Sequence, residues 1–187
     1  LVVHKLTFGE AIERDLLTDY QVVIVGVDEP MVKLWIDEQE IVATGPDEHT
    51  DARTLAAKIG LIKAIKDYDL KRVISFHSRI DGAKKFSEEL VDVVDLIDPV
   101  QRPEGTFLSN YVSGKMTAVD RKEKIDKLKV LEGYDRGLLT NARCLAEGVD
   151  VPSLDGVAFI DPKGSQVDII QAVGRAIRKV RGAATQK

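Results

Sequence analysis

"RVISFHSRIDGAKKFSEELVDVVDLI", residues 72–97, changes its hydrophobic period once, and that change decides the fold. Its first seven residues, "RVISFHS" (72–78), are a short apolar, β-branched run of the kind that forms a buried strand. From Gly82 onward the apolar residues fall at Phe86, Leu90, Val93, Val94 and Ile97, the spacing of one helical face. A strand followed directly by a helix is half of a crossover unit, and the same alternation recurs on both sides of it. Upstream, "YQVVIVGV" (20–27) reads as a buried strand, and Leu55, Ile59 and Ile62 mark a helix over 52–68. Downstream, "TFLSNYVSG" (106–114), "RGLLTNA" (136–142) and "LDGVAFID" (154–161) read as further strands. Thr117 with Asp120 forms a capping box for a helix to about Leu131, and Ser165 with Asp168 caps a closing helix. Five strands alternating with four helices predict an α/β fold, an open, mainly parallel sheet flanked by helices on both faces. The polar, Gly/Pro-broken stretch at 37–52 reads as a linker or surface excursion.

Composition narrows the function. The chain has 187 residues, 44% of them apolar, enough for one domain with a real core. A net charge of −4 argues against indiscriminate coating of nucleic acid or anionic membrane, yet permits a local basic site. Aromatic content of 5% disfavours recognition by stacking. Cys144 is the only cysteine, which excludes an internal disulfide and any multi-cysteine metal site, and a lone thiol beside a strand is ordinarily a packed residue. No apolar run approaches the roughly 20 residues needed to span a bilayer. The expectation is a cytoplasmic protein with no membrane partner. Leu1 heads the chain in place of methionine, which suggests a part of a longer protein.

Ligands on open α/β sheets bind beyond the carboxyl ends of the strands. Those ends carry the loops at 77–81, 113–117, 140–150 and 161–165, rich in Gly, Ser, Thr and Asp. One attractive candidate fails. "VVIVGVDEP" (22–30) ends in Asp28 and Glu29 like a magnesium-binding carboxylate pair, but the chain has no phosphate loop to accompany it. Its only Gly-Lys pair, in "SGKM" (113–116), is followed by Met116 where a hydroxyl is required. No metal site is assigned. In "RGLLTNARCLAEGVDVP" (136–152), hydroxyl and backbone N–H groups at Thr140 could hold a phosphodiester oxygen, and Asp150 could accept from a ribose hydroxyl. Alone, that segment is equally an ordinary strand and loop.

The closing helix is more pointed. "IIQAVGRAIRK" (169–179) places Gln171, Gly174, Arg175 and Arg178 on one face, opposite a core stripe of Ile169, Ile170, Val173 and Ile177. No acid neutralises the two arginines within the stretch. A solvated face is the plain reading. Against it, arginine is suited to planar, bidentate capture of phosphate, and Gly174 removes bulk between the two cations.

Taken together, these segments resemble the second RecA-like domain of superfamily 2 helicases and translocases of the DEAD/DEAH and restriction-enzyme type. "RVISFHSRI" looks like motif IV, "YVSGKMTAVDR" like the turn and arginine of motif IVa, and "LLTNARCLAEGVDVP" like motif V. "QAVGRAIRK" matches motif VI, Q-x-x-G-R-x-x-R, at every defined position. Order and spacing agree over roughly 70–180, and "FGEAIERDLLTDYQVVIV" (8–25) resembles the segment joining the two RecA-like domains. The implied division is residues 1–50 as interdomain connector and first strand, and 51–187 as the C-terminal RecA-like domain.

The resemblance implies a function and a set of roles. ATP and Mg2+ would be held mainly by an N-terminal RecA-like domain that this chain lacks. Arg178, as the finger, and Arg175 would face the γ-phosphate, with Gln171 near the attacking water. Gly148, Asp150 and Gly174 would lie along the nucleotide. His77, Ser78, Ser113, Gly114, Thr140 and Asn141 would touch the backbone of one nucleic-acid strand, DNA rather than RNA. The function implied is half of an ATP-dependent helicase or translocase, the isolated chain being inactive. The competing expectation is a non-catalytic α/β module that binds nucleic acid or protein.

Overall fold

The computed structural model describes residues 7–17, 20–26, 48–142 and 154–161, with positions 169, 173 and 174 of the closing segment. In chain order the elements are α1 (Phe8–Glu13), α2 (Glu48–Asp67), β1 (Arg72–His77), α3 (Ile80–Leu96), β2 (Phe107–Ser113), α4 (Ala118–Val130), β3 (Arg136–Ala142) and β4 (Gly156–Phe159). The four strands form one parallel sheet in the order β2-β3-β1-β4. Helices cover both faces, as the alternation predicts.

The period of two along each strand sorts its side chains into two cores. Val73 and Leu138 point to the face covered by α2 and α3, where they meet Ile59, Ile62, Phe86, Leu90 and Val93. Their neighbours Ile74 and Leu139, with Phe76 and Val112, point to the face covered by α4, against Ile125 and Leu128. Gly137 lets α4 approach closely, because a Cβ there would meet the Leu128 and Leu131 methyls at 2.6 Å. Lys58 of α2 is buried against Phe86 and paired with Glu89 of α3, which ties the two helices together.

Local signals place the helix ends. Thr7 and Glu10 close a reciprocal capping box on α1. Thr117 accepts from the Asp120 N–H at the start of α4, and Leu131 ends that helix in the left-handed conformation (φ 53°). Its apolar side chain stays buried there, which compensates for a conformation that non-glycine residues rarely adopt.

Two expectations need correction. Residues 20–26 form no sheet ladder, and Val22 and Ile24 are 76% and 93% exposed rather than buried. The apolar run has strand composition, but no neighbouring strand receives it among the described residues. Residues 48–52, expected in a linker, are the first turn of α2. The expected Ser165/Asp168 cap and Cys144 lie outside the described residues. No helix among the described residues is long and apolar enough to cross a membrane.

Candidate nucleic-acid interface at the carboxyl ends of the strands

Parallel register brings the expected backbone-contacting residues to one edge of the sheet. Ser113 pairs with Ala142 and Ala142 with His77, in one row across β2, β3 and β1. One row further in, Val112, Asn141, Phe76 and Phe159 align, and behind them Thr140 stands beside Ser75. The sequence-level grouping of strand-end residues is therefore a spatial one.

Their exposure divides them. Ser78 and Gly114 are exposed, whereas His77, Ser113, Thr140 and Asn141 are buried. β3 runs to Ala142, as the run at 136–142 predicts, so Thr140 lies inside the sheet, two residues short of its end. Its hydroxyl donates to the Ala83 carbonyl in α3 at 2.7 Å. His77 packs edge-on against Phe86 and shares a 2.9 Å hydrogen bond between its Nε2 and the Ser75 hydroxyl. Burial pushes the His77 pKa down to about 4, against the pull of nearby Asp161, so its ring is neutral near pH 7. It is a floor residue, with no positive charge to offer a phosphate. Every buried side-chain nitrogen and oxygen among the described residues has a hydrogen-bond partner.

The exposed part consists of two turns. After β2, the Met116 N–H bonds to the Ser113 carbonyl and Arg121 Nη1 donates to the Met116 carbonyl at 2.7 Å, leaving Gly114 and Lys115 outside. The motif IVa arginine thus pins the turn. After β1, Ser78 donates its N–H (2.7 Å) and its hydroxyl (2.8 Å) to Asp161 Oδ2, beyond the end of β4. Burial works to raise the Asp161 pKa, but those two hydrogen bonds, with His77 and Arg53 nearby, hold it below the usual carboxylate range.

Asp161 was not singled out from the sequence. Its loop was recognised as a strand end, but its pairing with a residue 83 positions away is set only by the β1–β4 contact. Of the nucleotide-side candidates, Gly174 is helical and half-buried, as is Val173 before it. Gly148, Asp150, Gln171, Arg175 and Arg178 lie outside the described residues, as do Asp28 and Glu29.

A parallel 2-3-1-4 sheet with hydroxyl- and glycine-bearing turns at its carboxyl edge defines a class. Residues 57–180 match the helicase conserved C-terminal domain, and the chain belongs to that family. It is a second RecA-like domain of the superfamily 2 helicase type. The chain is similar to the UvrABC system protein B of Methanosphaera stadtmanae (31% identity over 104 residues) and to that of Pasteurella multocida (31% over 106). These matches cover 53% and 54% of the chain but only 14% of either relative. Among solved structures it is similar to the ATP-dependent Type ISP restriction-modification enzyme LlaBIII bound to DNA, at 31% identity and a TM-score of 0.76. That match covers 95% of this chain and 12% of that enzyme. The C-terminal part of the Fun30 ATPase domain shares the fold alone, at 21% identity and a TM-score of 0.52, covering 81% of this chain and 46% of that one.

Proposed function

We propose that this chain is the C-terminal half of an ATP-driven helicase or translocase acting on DNA, and that its closing helix supplies arginine to a nucleotide held by a preceding RecA-like domain. The observation that carries the reading is the set Gln171, Gly174, Arg175 and Arg178, spaced to share one helix face inside the family match. DNA is favoured because LlaBIII, at 31% identity, is a DNA-bound enzyme. In this reading Arg178 and Arg175 face the γ-phosphate, Gln171 lies by the attacking water, and Gly148 and Asp150 lie along the ribose and phosphates.

The residues present suit one side of a nucleotide. Arginine forks match phosphate oxygens. In this reading Mg2+ is held mainly by the partner domain. Bound there, ATP would supply the free energy of phosphoryl transfer, and this chain's part is to stabilise the charge that develops. In systems of this kind an arginine so placed is worth roughly 10³–10⁵ in rate.

The nucleic-acid track then runs over Ser78 and Gly114, above the buried His77, Ser113, Thr140 and Asn141. Contacts of this kind grip phosphates and read little sequence. Binding by this domain alone should be weak, about 10⁻⁴–10⁻⁶ M, and salt-sensitive.

In the two-domain protein, Arg178→Ala should abolish most ATP turnover while leaving the thermal midpoint and single-strand binding near normal. Arg178→Lys should fail nearly as badly, since a point charge does not reproduce the fork. Unchanged turnover in both variants would mean that the arginine is a solvated surface group and the reading is wrong. The isolated 187-residue chain should show no ATP hydrolysis above background.

A further inference from the structure

Both donors of Ser78 converge on a single oxygen of Asp161. A main-chain N–H and a serine hydroxyl meeting one anionic oxygen is the arrangement that protein surfaces offer a phosphodiester. Cations complete the setting. Arg53 on α2 is exposed and close enough to act on the charge of Asp161, and exposed Arg79 follows Ser78 directly. The carboxylate therefore sits where a phosphate oxygen would make the same two bonds.

We propose that Asp161 is an internal competitor for a phosphodiester oxygen at Ser78, so that a nucleic-acid strand gains this contact only by displacing the carboxylate. The inference rests on the reading of the strand-end loops as a phosphate track and adds a specific-position residue to it. Physically the exchange is one anion for another on the same donors, with Asp161, already partly exposed, passing into water. The apparent affinity at that position is lowered by the fraction of molecules in which the carboxylate holds the donors. A grip weakened in this way at one phosphate is also easier to release, which suits a protein that must let go of each phosphate in turn.

The test uses the 187-residue chain, a labelled oligothymidylate titrated at two salt concentrations, and inorganic phosphate as a second probe. Asp161→Asn removes the charge while keeping an acceptor for Ser78. It should bind the strand roughly 3–10-fold tighter, the scale of one ordinary net hydrogen bond. Its salt slope should steepen by about one phosphate contact. Glu88→Gln, the same charge change on the exposed side of α3, controls for net charge. Ser78→Ala added to Asp161→Asn should return the affinity to that of the parent. Inorganic phosphate should raise the thermal midpoint more in Asp161→Asn than in the parent, and Asp161→Ser serves if the asparagine variant does not fold. A gain no larger than that of Glu88→Gln, with equal phosphate effects, overturns the competition and leaves the nucleic-acid reading standing. Strand binding absent from every variant, with the phosphate difference retained, sinks the nucleic-acid reading and leaves the competition intact.

Discussion

The two ends of the sheet are built differently. At the amino end the loops entering successive strands are bolted to one another. Buried Arg136, first residue of β3, donates to the Glu104 carbonyl (2.9 Å), the Leu70 carbonyl (2.8 Å) and Asp69 (2.6 Å). Asp135 accepts from the Thr106 N–H and hydroxyl, and Asp155 accepts from the Lys71 and Arg72 N–H groups. The tight left-handed turns at Asp69, Gly105, Leu131 and Gly133 are also here. At Gly105 (φ 92°) glycine is required twice over, since a Cβ would lie 2.5 Å from Asp135. At the carboxyl end the prominent cross-loop clasp among the described residues is Ser78 to Asp161, beside the open turn at Gly114 and Lys115. One end is built for stability, and the other keeps donors within reach of solvent. That is the division expected where ligands bind beyond the carboxyl ends of strands.

If the division is real, damage to the amino end should cost stability and spare binding. The largest effect is expected from Arg136→Ala, about 4 kcal/mol, because the charge-assisted bonds of a buried arginine to two backbone carbonyls are lost. Urea unfolding gives the stability, and strand affinity measured on the folded fraction should not change. A parallel loss of affinity would show that the two ends are not separable.

Acid should act through the other end. His77 is neutral when folded down to about pH 4, whereas the unfolded chain protonates near the ordinary value of 6.5. Between those values the unfolded state binds the extra proton, so stability falls as pH falls through that window and is constant above it. The full loss is about 3 kcal/mol. Asp69, Asp135 and Asp161 are held below the usual 3.8, so their contributions disappear only at still lower pH. Unfolding followed from pH 7 to 4 should show the slope in the parent and a flatter one in His77→Gln. Equal slopes would place the proton elsewhere.

Smaller effects sharpen the picture. Gly137→Ala should destabilise by about 2 kcal/mol, since the added methyl must displace two packed leucine side chains. Its thermal midpoint tests the close approach of α4 to β3. Thr140→Val should cost about 1 kcal/mol by removing the donor to Ala83, and should leave strand affinity unchanged. Weakened binding at unchanged stability would put the Thr140 hydroxyl on the nucleic acid after all.

Sequence by itself determined the elements that carry a strong period. β1, β2 and β3 fall within a residue or so of the runs at 72–78, 106–114 and 136–142, and α3 follows from Phe86, Leu90, Val93 and Val94. Local patterns suffice there because each residue's side is fixed by its neighbours three, four or two positions away. The spacing of Gln171, Gly174, Arg175 and Arg178 is a local pattern of the same kind, since those residues lie within eight positions of one another. Tertiary structure decided the rest. The order 2-3-1-4 is a choice among crossovers that no local pattern encodes. Residues 20–26 have the composition of a buried strand, yet burial needs a second surface, and the run stands exposed. Thr140 and Ser78 are both strand-end hydroxyls in the sequence. One turns inward to the Ala83 carbonyl and the other outward to Asp161, because the register of the sheet puts Thr140 inside and Ser78 one residue beyond its edge.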